Sequence, residues 1–157
     1  MDRSFIEEYE RGSEKLAMAI RGLQREDLMA FPKAGTWSIQ QIAVHLADAE
    51  LVIADRMKRV ITEDNPTLLA FDENKWVKNL AYDEQSAEVA ARTIELVRKQ
   101  MSRVLRSLPD AAFDRRGNHN ERGPLTLRQL VEGASKHLDH HLKFVNDKRE
   151  MLGKNMW

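Results

Sequence analysis

From Ala87 to Leu108 the apolar residues advance in alternating steps of three and four: Ala87, Ala90, Ile94, Val97, Met101, Val104 and Leu108. A run of that length and period suits a helix whose seam packs against other helices. It starts after Asp83, and Pro109 helps to end it. Three more stretches carry the same signal. The first runs from about Ser4 to Leu23, with Ser4 and Glu7 in capping-box spacing and Phe5, Tyr9, Leu16, Ile20 and Leu23 as its stripe. The second runs from about Ile39 to Ile61 behind Ser38 and Gln41, with Ile39, Ile42, Leu46, Ala49, Ile53, Met57 and Val60 inward. The fourth starts at Thr126 and Gln129 and reaches about Leu152, where Gly153 can cap it. Each box is worth only ~1 kcal/mol; its value is to fix a boundary.

The spacing predicts an all-α, four-helix bundle in one domain spanning residues 1–157, with a long connection between helices 2 and 3. That connection, Thr62 to Tyr82, contains Pro66 and a short helical turn around Asp72 to Lys78. The other, Pro109 to Pro124, is polar and holds Gly117, Gly123, Arg115, Arg116 and Arg122. Neither reads as a strand pair.

Composition narrows the function classes. Basic and acidic residues balance at 25 each, so no net field draws in nucleic acid or an anionic membrane. No window approaches the roughly 20 apolar residues of a membrane span, and the first residues lack the apolar core of a secretory signal. A cytoplasmic protein is the expectation. The absence of cysteine removes disulfides, thiolate ligands and an internal thiol nucleophile together. A metal would have to use nitrogen and oxygen donors.

Three histidines supply such donors. His137 and His141 lie four residues apart on the last helix, one turn apart on one face. At about 100° per residue, His141 falls near the middle of that helix's apolar stripe, His137 at its flank and His140 well outside. His45 sits at the stripe edge of helix 2, beside Ile42 and Ala49, with Asp48 on the polar side. Partly buried imidazoles need partners for both ring nitrogens, and one shared cation would provide them. The bland alternative is three unrelated core or surface histidines. His119, in the Gly/Arg connection, reads as solvated. The zincin pattern is not present: Leu138 stands where its glutamate would follow the first histidine. A base would have to come from elsewhere, with Asp48 and His140 nearest by helix geometry.

At these residues the sequence resembles the DinB/YfiT-like superfamily. Thr36, Trp37, Ser38 and Ile39, leading to Gln41, Ile42, Ala43, His45, Leu46 and Asp48, are similar to the start of its second helix. Leu125, Thr126 and Gln129, followed by His137, His140, His141, Phe144 and Val145, look like its last, and Phe71, Asp72, Glu73 and Trp76 like its middle segment. The resemblance covers nearly the whole chain. It implies a four-helix bundle, commonly homodimeric, with nickel or zinc on His45, His137 and His141. It also implies metal-dependent enzymes, among them transferases using low-molecular-weight thiols such as bacillithiol or mycothiol, an isomerase, and hydrolase-like members.

An external thiol would supply the nucleophile that this chain lacks, because a divalent ion lowers the pKa of a bound thiol or water. The leading expectation is therefore metal-assisted S-transfer to a small electrophile, with metal-dependent hydrolysis next. A non-enzymatic helical dimerisation or stress-response module is the third reading, in which Trp37 and Trp76 only pack. Arg115, Arg116 or Arg122 could hold an anionic group, although a solvated loop is the more common role for such arginines.

Overall fold

A computed structural model describes residues 2–155. Its helices are α1 (Ser4–Arg11), α2 (Lys15–Ile20), α3 (Arg25–Met29), α4 (Ile39–Thr62), α5 (Glu73–Asn79), α6 (Ala87–Ser107) and α7 (Leu127–Met151). The long helices α4, α6 and α7, with α1 and α2 as the fourth limb, form the bundle.

Two of the expected boxes close. Ser38 Oγ accepts from Gln41 N at 3.1 Å while Gln41 returns a bond to Ser38 N, and Thr126 and Gln129 do the same. α7 ends as expected: Gly153 takes φ +68°, and Lys154 N and Gly153 N reach back to the carbonyls of Arg149 and Glu150. The Ser4 box does not form. Arg3 holds the N-cap position without a side-chain capping bond, and the Asp2 carboxylate instead accepts from Ser4 N and Oγ at 2.9 and 3.0 Å. The first helix is also not continuous to Leu23. A 3₁₀ turn at Gly12–Glu14 divides it, and its second half stops at Ile20.

That break has a neighbour to explain it. A Cβ on Gly12 would lie 2.1 Å from Arg98 Nη1, so only glycine lets the chain pass here. Arg98 is wholly buried on α6. Its Nε and Nη2 donate to Glu50 Oε2 at 2.9 and 2.7 Å, Nη1 to the Tyr9 carbonyl at 3.1 Å, and Nη2 to the Ala134 carbonyl at 3.0 Å. The Tyr9 hydroxyl donates to the other Glu50 oxygen at 2.6 Å. One guanidinium thus ties all four limbs. On α6 it takes an inward position that the apolar seam assigns to Val97, which is half-buried. The core divides into two apolar clusters: Leu16, Ile42, Ile94 and Leu138 lie in one, and Tyr9, Met57, Met101 and Ala134 in the other.

The two connections pair after all. β1 (Thr67–Leu68) runs parallel to β2 (Arg116–His119), and β2 antiparallel to β3 (Gly123–Thr126). The expectation of no strand pair is corrected here. In β2 the inward residues are Gly117 and His119, so no apolar alternation marks the strand. Gly117 is small because a Cβ would come within 2.9 Å of Leu68 and 3.0 Å of Val60. Residues 63–86, between α4 and α6, carry β1, α5 and a 3₁₀ turn at Tyr82–Glu84. Asp72 caps α5 through Lys75 N at 3.0 Å, in line with the turn expected at Asp72 to Lys78. No helix among the described residues is long and apolar enough to cross a membrane.

Candidate metal centre

His45 arises in the first half of α4, where the Ser38 box sets the helix's start and therefore its rotation. Its ring is fully buried, whereas His137 and His141 on α7 are half-buried and His140 is exposed. The packing of α4 against α7 brings the three rings together. Their centroids are 5.2 Å apart for His45 and His137, 4.7 Å for His45 and His141, and 4.6 Å for His137 and His141. One nitrogen from each ring lies within 4.8 Å of the other two.

The donors suit a metal ion. Nε2 of His45 and Nε2 of His137 are 3.3 Å apart. Metal–nitrogen bonds of ~2.05 Å at a tetrahedral angle span about 3.3 Å between donors. The same separation lets one ring donate to the other when no ion is bound, with the tautomer deciding which. Nδ1 of His45 is buried without a hydrogen-bond partner among the described residues, so none of them fixes that ring's tautomer. Three neutral nitrogens without a carboxylate select a borderline transition ion over magnesium or calcium.

Burial holds the rings neutral. It draws His45 down to about 3, with the neighbouring His141 and His137 adding to the effect. His137 and His141 are drawn down to about 4, again chiefly by burial. Lone pairs are therefore free for a metal well below the ordinary histidine range near 6.5.

A stability prediction follows from the same depression. Between the unfolded value near 6.5 and the folded values, the unfolded chain binds more protons than the native one. The contribution of these rings is therefore fully present above pH ~6.5 and is lost as the pH falls toward about 4. Urea midpoints of chelator-treated protein should drop between pH 6.5 and 5, and His137→Gln should flatten that drop. A slope identical in the variant would overturn the assignment.

Aromatic side chains wall the centre. Trp37 lies 5.0 Å from His45 and stacks on His141 at 6.2 Å with a 5° interplanar angle. Phe71 is 6.2 Å from His45 and packs on Trp76 at 4.5 Å. A cavity of about 330 Å³ reaches His141 between Trp37, Phe144 and Met151. A second, of about 220 Å³, reaches His137 and is lined by Phe71, Arg56, His119 and Arg122 among others.

The remaining expected residues lie elsewhere. Asp48 Oδ2 accepts from the Tyr82 hydroxyl at 2.6 Å, and Tyr82 is pushed well above the ordinary tyrosine range by burial and by that carboxylate. His140 stands edge-on to His141 and Phe144, at 5.3 and 5.0 Å. His119 is not solvated. It is buried in β2, and its Nδ1 accepts from the backbone of Glu121 and Arg122 at 3.2 and 3.3 Å. Arg115 is spent on structure, donating to the carbonyls of Val60 and Glu63 at 2.8 and 2.7 Å and pairing with Asp64. Arg56 escaped notice in the sequence, although one signal was there: it lies eleven residues beyond His45, three turns along the same face.

The DinB superfamily matches over residues 8–145. A protein of Oceanobacillus iheyensis, provisionally named a metal-dependent hydrolase, is 28% identical over 141 residues, covering 90% of this chain and 81% of that one. One of Bacillus mycoides with the same kind of name is 28% identical, covering 94% and 85%. Among solved structures, YfiT from Bacillus subtilis superposes with a TM-score of 0.90 at 22% identity, covering 98% of this chain and 90% of that one. It is described as a probable metal-dependent hydrolase with an unusual four-helix bundle topology.

Proposed function

The chain belongs to the DinB superfamily, and we propose that it is a metal-dependent hydrolase whose divalent ion is held by His45, His137 and His141. The convergence of one nitrogen from each ring carries this reading. A divalent transition ion such as zinc or nickel is the kind of cation that a set of three neutral imidazoles would hold.

When bound, such an ion lowers the pKa of a coordinated water and polarises the bond to be cut. This chain's own residues do the rest. His45 anchors the set from a fully buried position, and burial keeps all three rings neutral and ready to donate. Trp37 and Phe71 exclude water from the flanks of His45, which strengthens every electrostatic contact inside. His140, exposed at the rim beside His141, is the freer candidate for moving a proton, because Oδ2 of Asp48 is already engaged by Tyr82. Asp48 and Tyr82 then act as positioning residues, joining α4 to the 3₁₀ turn before α6.

Hydrolysis displaces thiol transfer as the leading chemistry because relatives named for an activity are named metal-dependent hydrolases. The test is elemental analysis of tag-free protein, followed by a panel of aryl esters and amides with the metal removed and restored. About one metal per chain and turnover that returns with the ion are expected. Less than ~0.2 metal per chain after reconstitution would sink the reading.

A further inference from the structure

The cavity at His137 holds charge that the three-histidine set does not use. Nη2 of Arg56 donates to the Leu69 carbonyl, while its Nε is buried and has no partner among the described residues. Buried donors are nearly always satisfied, so Arg56, whose side chain lines this cavity, has hydrogen-bonding capacity that the described residues leave unused. Arg122 lines the same cavity. Burial, with the charge of Arg122 adding to it, draws Arg56 below the ordinary guanidinium range, against the opposing pull of Asp55 and Glu121. Neither arginine is in an ion pair among the described residues. Two like charges left close together gain most from a shared anion, and guanidinium forks match oxyanions in shape.

The other groups of this cavity are compatible with that. Glu121 attracts Arg56 without bonding to it. Glu73 has its carboxyl pushed up by burial and by Asp72, which favours its uncharged form. His119 fixes the turn that presents Arg122 by accepting from that residue's own backbone N–H.

We propose that this cavity is an oxyanion subsite, in which Arg56 and Arg122 hold a carboxylate or phosphate group of the molecule whose reacting bond lies at the three histidines. Its meaning as a substrate subsite rests on the hydrolase reading. The cavity at His141 is walled by Trp37, Phe144 and Met151, whose apolar surface suits an apolar group, although Lys33, Asp147 and Lys148 also line it. The substrate class is therefore a small molecule with an apolar part on one side of the scissile bond and an anionic part on the other.

Metal-free protein is titrated with inorganic phosphate and, separately, acetate, by calorimetry at constant ionic strength. Saturable binding of at least one is expected, the tighter of the two naming the group. Arg122→Gln, an exposed position that leaves folding intact, and Arg56→Gln should each weaken it about 10-fold. Lys33→Gln, in the cavity at His141, should change it less than about twofold. No saturable binding, or equal weakening by Lys33→Gln, overturns the subsite. A second arm compares carboxylate-bearing and neutral aryl esters on metal-loaded protein, where Arg122→Gln should lower the ratio of their kcat/KM values. Arginine-dependent phosphate binding without any metal uptake would fail the hydrolase reading and leave the subsite standing. Ester turnover indifferent to Arg122 would do the reverse.

Discussion

Metal affinity should fall more than ~100-fold in His141→Ala, beyond the 10–100-fold that loss of an outer-shell partner costs a metal site. His140→Ala should keep most of it. The two residues are adjacent in the chain, yet only His141 offers a nitrogen within reach of His45 and His137, while His140 is exposed. Competition with a chromogenic zinc chelator reads both variants directly. Equal losses would mean that either ring can serve and that the facing of α7 does not select the donors. The pH dependence provides a second check. Because burial draws the three rings to about 3 to 4, proton competition should begin near pH 4 to 5 and not at the ordinary 6.5. The wild-type protein should therefore hold zinc at pH 5.5 almost as well as at 7.

The second large effect concerns stability. Glu50→Ala should lower the unfolding free energy of metal-free protein by about 3–5 kcal/mol, because it strands the buried Arg98 charge. The pair sits at 1% and 4% side-chain exposure, so solvent screens it little. Replacing both partners with apolar residues, Glu50→Leu with Arg98→Met, should recover most of the loss, since desolvation of both charges is then avoided. Urea unfolding followed by circular dichroism measures both. A single-variant cost below ~1 kcal/mol would show that the network is incidental to the fold.

Much of this arrangement was legible in the sequence. Ser38 with Gln41 and Thr126 with Gln129 fix where α4 and α7 begin, and counting rotation from there separates His137 and His141 from His140. What stayed hidden shares one cause: the residues facing inward do not look like core. Arg98 interrupts an apolar seam with the most polar of side chains, so α6 buries Arg98, Ser102 and Leu105 while Val97, Val104 and Leu108 of the seam are only half-buried. Gly12 marks the break in the first helix only once the guanidinium beside it is known. In β2 a glycine and a histidine do the work that valine or isoleucine would normally announce. Beyond its spacing from His45, Arg56 carries no mark of its role in the sequence, because nothing near it in the chain shows that the Leu69 carbonyl lies against its guanidinium.

The ion pair of Arg98 and Glu50 also governs how the molecule can come apart. With apolar clusters on either side of it and every limb bonded to the same few atoms, neither end of the bundle can loosen without exposing a bare charge to the other. Slow amide exchange in α1, α4, α6 and α7 should then report a single shared opening event, so that the pocket beside His45 is lost together with the helices and not ahead of them.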